Sequence, residues 1–257
     1  MSTVFVSWNV NGIRAWHRKG CLAWLKRRAP DFFCVQETKA HPEQLPEELL
    51  EVPGYHAYFD HARTRKGYSG VAVYAKEEPL EVRDKLGVPR LDQEGRFLCL
   101  IYEGFALLNC YFPNGGGGDH RFDYKLAYYE AFLRHAEKLK KKGLSVIFCG
   151  DINAAHQEID LERAKENDGE IGFHPKERAW ISKMISHGFV DTFRYLHPTS
   201  RRAYSWWDMK TRARDRNVGW RIDYFFVSEN LAPKVKRAEI LADVHGSDHC
   251  PILLEIR

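Results

Sequence analysis

Residues 146–161 read VIFCGDINAAHQEIDL, and the fold class turns on how that stretch is built. Four apolar residues, Val146 to Cys149, predict a central strand. They deliver Asp151 and Asn153 to its end, where positions i and i+2 of an extended chain point the same way. A carboxylate and a carboxamide on one face suit a site that orients water and donates to a phosphoryl oxygen. The plainer reading is an Asp/Asn turn.

The same pattern, an apolar run closed by polar residues, recurs along the chain. Strands are predicted at Val4–Trp8, Asp31–Gln36, Val71–Tyr74, Phe97–Tyr102, Ala106–Tyr111, Asp223–Val227, Ala238–Leu241 and Ile252–Ile256. Helical spacing predicts Phe122–Lys142, stopped by Gly143, and Pro175–Ser186, with Pro at its start and Gly188 past its end. A shorter helix is predicted over Cys21–Arg28. Many strands with few helices between them predict two packed sheets with helices outside, a layered α/β sandwich. No linker, low-complexity tract or short repeat divides the chain, so one domain over residues 1–257 is expected.

Composition narrows the function classes. No apolar stretch nears the roughly 20 residues of a membrane span, which argues against a membrane partner. Six cysteines, at 21, 34, 99, 110, 149 and 250, include no C-x-x-C pair, and no secretory signal precedes the first strand. Free thiols and an intracellular location follow, cytoplasmic for a prokaryotic source. No sizeable apolar surface stripe is evident, so a monomer is expected. The net charge of +4 is compatible with nucleic acid without requiring it.

Five polar clusters sit at strand ends. SWNVNGIRAW (7–16) places Asn9 and Asn11 before Gly12, and alone it reads as a strand-to-turn junction. CVQETKA (34–40) ends an apolar strand in Glu37, a hard-oxygen ligand suited to magnesium or else a solvated glutamate. LLNCYFPNGGGG (107–118) puts Tyr111 before a glycine loop able to lie close to a phosphate backbone. DIN supplies Asp151 and Asn153. GSDHCPILLEI (246–256) supplies Asp248, a candidate for a metal, and His249, whose candidate partner is Asp223 at the start of another buried strand. Residues 201–221 interleave Trp206, Trp207 and Trp220 with seven Arg or Lys, the composition of a nucleic-acid surface or of a solvated basic loop with core tryptophans.

Taken in order, SWNVNGIR, QET, YFPNG, GDIN and GSDHCP resemble the endonuclease/exonuclease/phosphatase superfamily and span nearly the whole chain. QETK, GYSGVAVY, QEGR, AHQEIDL and NVGWRIDYFFVS resemble its exonuclease III family, especially the abasic-endonuclease branch. The resemblance implies a four-layered α/β sandwich, two packed mixed β-sheets flanked by helices. It also implies magnesium-dependent hydrolysis of the phosphodiester 5′ to an abasic site in double-stranded DNA, with Mn2+ able to stand in. Activity as a 3′–5′ exonuclease or 3′-phosphodiesterase is implied beside it, and some members also nick at uracil-containing nucleotides.

Carried over by motif, the resemblance assigns catalytic roles to Tyr111, Asp151, Asn153, Asp223 and His249. It assigns the metal region to Asn9, Glu37, Asp151, Asn153 and Asp248. The pocket for the extruded sugar falls to Trp206, Trp220 and Ile222, and DNA contact or site support to Arg14, Lys39, Tyr68, Arg96 and Asn167. Two positions depart from the pattern. Asn11 stands where some members carry Asp, and Gly115–Gly118 lacks the large residue that some relatives wedge into DNA, leaving Lys210 to supply a wedge from the other side. A phosphatase or phospholipase of the same superfamily is the competing reading, but it gives no reason for the basic 201–216 stretch. A non-catalytic DNA-binding module would tolerate loss of site residues, and none is lost.

Overall fold

The computed structural model describes residues 2–257. One sheet contains β1 (Thr3–Asn9), β2 (Phe32–Gln36), β3 (His56–Asp60) and β4 (Val71–Ala75). The second contains β5 (Glu81–Arg83), β6 (Phe97–Tyr102), β7 (Phe105–Tyr111), β8 (Ser145–Asp151) and β9 (Phe189–Asp191). A two-stranded ribbon, β10 (Trp206–Trp207) with β11 (Gly219–Trp220), follows; β12 (Asp223–Ser228) then rejoins the second sheet, and β13 (Val235–Ile240) and β14 (Ile252–Ile256) rejoin the first. The strand orders are β13-β14-β1-β2-β4-β3 and β5-β6-β7-β8-β12-β9. Both sheets are mixed: β1/β2 and β7/β8 are parallel, and the other main-sheet pairings are antiparallel.

Period-two burial builds the layers. Along β8, Ile147 and Cys149 face the other sheet, where they meet Phe5, Cys34 and Leu254. Val146 and Phe148 face outward, beneath α4 (Asp119–Lys141) and α5 (Pro175–Ser186). On the far side, Val6, Trp8 and Phe33 pack against α1 (Ile13–Arg18) and α2 (Cys21–Arg28). The result is helix, sheet, sheet, helix, with three apolar layers between them. All six cysteines are free and buried.

The sequence-based boundaries need correction in places. β1 and β8 run past the predicted ends into their polar residues, because Asn9 and Asp151 still hold the ladder. α4 begins at Asp119 rather than Phe122, directly after Gly118. β13 begins at Val235, since Lys236 and Arg237 hide an exposed edge strand from an apolar search. β3, β5, β9 and the ribbon were not predicted; most are short, and β3 and β5 expose polar residues.

Two parallel pairs set the position of the polar clusters. Asn9, Glu37, Tyr111 and Asp151 lie at or just past the carboxyl ends of β1, β2, β7 and β8. β12 and β14 run antiparallel to β8 and β1, so their starts, carrying Asp223 and His249, reach the same rim. Gly150 makes the close approach of β7 and β8 possible there: at φ 142°, a Cβ would lie 1.8 Å from the Cys110 carbonyl oxygen.

Candidate active site

Asp151 and Asp223 face each other across the β8/β12 ladder, and His249 lies between them. His249 Nδ1 is 2.9 Å from Asp223 Oδ2, and its Nε2 is 3.9 Å from Asp151 Oδ2. All three are buried. Burial alone would lower the His249 pKa, but Asp223, Asp151 and Asp248 outweigh it and push the imidazole up to about 10. Burial and the negative charges of Asp223 and Glu37 raise the Asp151 carboxyl, against His249 and the Asn153 N–H. Asp223 Oδ1 has no hydrogen-bond partner among the described residues. Such a cluster can take up and release a proton near neutral pH.

Glu37 comes from the other sheet. Asn9 joins the two sheets here: its Nδ2 donates to Glu37 Oε1 (2.8 Å) and Asp151 Oδ2 (2.9 Å). Lys39 Nζ lies 2.8 Å from Glu37 Oε2 and also contacts Asn11 Oδ1. Burial would raise the Glu37 pKa, but Lys39 and Asn9 hold it below the usual carboxylate range. Single ligand atoms of Glu37, Asp151 and His249 lie within 4.8 Å of one another. With His249 held toward the imidazolium form, the two carboxylates and the neighbouring carboxamides remain, a hard-oxygen set that fits a divalent cation of the magnesium or calcium type. Asp248 falls outside that trio. Asn11 (2.9 Å), Ser247 (3.0 Å) and Trp206 Nε1 (3.1 Å) donate to its carboxylate.

Asn153 does not continue the strand. Its φ of 57° is left-handed, and its N–H donates to Asp151 Oδ1 (2.8 Å), so the Asp/Asn turn and the candidate site are one object. Its Nδ2 donates to the Phe112 carbonyl (2.9 Å), and its Oδ1 accepts from Asn114 Nδ2 (3.0 Å). Asn11, Glu37 and Lys39 also carry left-handed φ values, a concentration of backbone strain typical of functional sites.

These groups open onto a cavity of about 340 Å3. Trp206, Trp220 and Ile222 line it, with the two indoles edge to face at 6.4 Å. Ile171, an exposed apolar residue, and Gly172 complete that wall. Tyr111 closes the floor, buried, with the Arg96 guanidinium 4.6 Å over its ring. Burial and the Glu37 charge raise its pKa well above the usual phenol value.

The remaining predicted residues lie outside this cavity. Arg96 is buried and, with Arg121, donates to Tyr68 Oη (2.8 and 3.0 Å), while both pair with Glu94. Arg14 is exposed on α1, Asn167 caps a turn through the Arg163 carbonyl (2.7 Å), and Lys210 is exposed beside Met209 at a loop tip. Sequence reasoning missed Ile171, an apolar residue in no polar cluster, and gave Asn114 no role although it stands in the loop after β7.

A larger hollow of about 1190 Å3 lies behind Trp220, past its bridge partner Leu161. Three of its cations, Arg163, Arg178 and Arg202, are paired with Glu166, Asp168 and Glu162, and it contains none of the carboxylate cluster. Chemistry, not size, identifies the smaller cavity as the site.

Residues 6–249 match the sequence profile described as the Endonuclease/Exonuclease/phosphatase family. A Bacillus subtilis protein named exodeoxyribonuclease is 47% identical over 98% of this chain and 98% of its own length. The DNA repair nuclease APEX1 of Danio rerio is 40% identical over 96% of this chain and 80% of its own length. Among solved structures, an AP endonuclease from Archaeoglobus fulgidus superposes with a TM-score of 0.87 at 30% identity, covering 98% of both chains.

Proposed function

Because this chain belongs to the endonuclease/exonuclease/phosphatase family, we propose that its site carries out the DNA-repair reaction for which its relatives are named, incision beside abasic residues. The chain is a nuclease of that family, a phosphodiesterase. The observation that carries the substrate reading is the adjacency of two unlike half-sites in one cavity. One is the carboxylate–imidazole cluster for a phosphate, and the other is the apolar Trp206–Trp220–Ile222 wall. An abasic sugar has lost pairing and stacking, so extruding it costs less than extruding an intact nucleotide. A wall of two indoles and an isoleucine accepts such a sugar by shape and rejects a base by size.

In this reading Asp151, beside His249 and bonded to the Asn153 N–H, accepts the proton of the attacking water. His249, kept charged by Asp223, and Asn153 donate to the phosphate oxygens as charge builds on them. Tyr111 stands beside the leaving oxygen. A magnesium ion held by Glu37, Asp151 and the carboxamides of Asn9 and Asn153, with Asp248 nearby, would neutralise the pentacovalent charge. Arg14, Lys39, Tyr68, Arg96 and Asn167 support or contact the backbone of the duplex, and Lys210 reaches for it from the ribbon. The protein acts as a monomer.

The test is a duplex bearing one abasic site, incubated with magnesium or with EDTA beside undamaged and uracil-containing duplexes. Incision 5′ to the lesion in magnesium alone is expected. No incision in either condition would send the substrate assignment to other phosphate esters.

A further inference from the structure

Lys125 of α4 and Glu177 of α5 are both completely enclosed, and they form an ion pair through Glu177 Oε1. Lys125 Nζ has two further acceptors, the main-chain carbonyls of Asn114 (3.0 Å) and Asn153 (2.8 Å), which exhausts its three donors. The second Glu177 oxygen accepts the N–H groups of Gly172 (2.7 Å) and His174 (3.0 Å). Glu177 also closes the capping box at the start of α5 through the His174 N–H, but nothing in helix packing calls for the Lys125 charge beside it. The two helices already meet through Tyr129 stacked on Trp180 at 4.2 Å, and buried ion pairs add little stability over apolar residues of similar volume.

What the pair touches is the site. Asn114 and Asn153 are the bonded carboxamides on the phosphate side of the cavity. Gly172 is on the sugar side, where a Cβ would lie 3.1 Å from the Trp220 ring, and it follows Ile171. The glycine loop packs onto the same lysine: a Cβ on Gly115 would sit 3.0 Å from the Lys125 stem, with Ile171 and Phe122 next at 3.5 Å.

We propose that the Lys125–Glu177 pair positions the reaction's two half-sites against each other, fixing Asn114 and Asn153 through one partner and the Ile171–Gly172 wall through the other. The proposal rests on the functional reading above, and its residues touch neither phosphate nor sugar. Displacing an aligned group by about 1 Å costs on the order of 100-fold in rate.

The experiment compares the parent, Lys125→Met and the double variant Lys125→Met/Glu177→Gln in steady-state incision of abasic duplex, thermal unfolding and amide hydrogen exchange. The single variant leaves a buried charge unpaired and is expected to lose stability. The double variant removes both charges and should regain it. In the double variant we expect kcat about 100-fold down with KM within about threefold, and faster exchange in segments 152–155 and 171–174 but not in 146–149. Parent-like kcat in the double variant, or unchanged exchange in both segments, would overturn the proposal. Exchange needs no turnover, so a parent enzyme inactive on abasic DNA would sink the functional reading alone.

Discussion

Two carboxylates directly opposite each other in an antiparallel ladder repel, and Asp151 and Asp223 are tolerable as neighbours because His249 carries charge between them. Asp223→Asn removes the main support for that charge. If the imidazolium is the active form, activity is lost as pH rises through its pKa. Lowering that pKa therefore moves the alkaline limb of the pH–rate profile to lower pH. Turnover at neutral pH should fall by about 100-fold or more, and an unmoved limb would contradict the role. At the opposite wall, Trp220→Ala should cost abasic-over-intact selectivity more than basal nicking, read as a ratio of kcat/KM on the two duplexes. Equal losses on both would argue against the sugar pocket. Residues of this kind were legible in the sequence because each is a polar or aromatic break at the end of an apolar run. Lys125 was not: within DYKLAYYEAF (123–132) it looks like any solvated lysine, and only the tertiary fold reveals that water never reaches it.

Elements hold the site through a second buried network. Arg221, between β11 and β12, pairs with Asp160 (2.8 Å) and Asp191 (2.7 Å), and Arg194 pairs with Asp160 as well (2.6 Å). This fixes the segment that carries Trp220, Ile222 and Asp223. Burial would raise the Asp160 pKa, but the two guanidinium groups hold it at about 2. Because the folded value lies below the unfolded one, the stabilisation is present above pH ~4 and disappears as pH falls toward ~2, and it amounts to about 2 kcal/mol. Asp160→Asn should cost roughly 3–5 kcal/mol at pH 7 by taking from the buried Arg221 one of its two carboxylates. In denaturant titrations the gap from the parent should narrow below pH 4; a constant gap down to pH 3 would refute the assignment. Strands with continuous apolar runs were readable in advance. β3 and β5 were not, because they expose polar residues, and β9 is only three residues long, so little hydrophobic pattern marks them.

At the scale of the molecule, a net charge of +4 gives little uniform pull on a phosphate backbone, so the proposed DNA contact falls to placed cations such as Lys210 and Arg14. Lys210→Ala and Arg14→Ala should each lower the slope of log KM against log salt by about one, with little change in kcat. Slopes equal to the parent's would remove those residues from the interface. Among the described residues no helix is long and apolar enough to cross a membrane. The layered sandwich was legible from strand count and helix placement, whereas the order of strands in each sheet was not, because β12 and β14 return to their sheets across long stretches of chain.

That return has a consequence for how the enzyme comes into being. Asp248 and His249 follow every other member of the site in the chain, and β14 must dock beside β1 before they can take their places. A polypeptide emerging from the ribosome therefore carries Glu37, Asp151, Trp206 and Trp220 before Asp248 and His249 can join them. The order of the strands thus makes docking of β14 the step that brings carboxylate, imidazole and indole groups into one cavity.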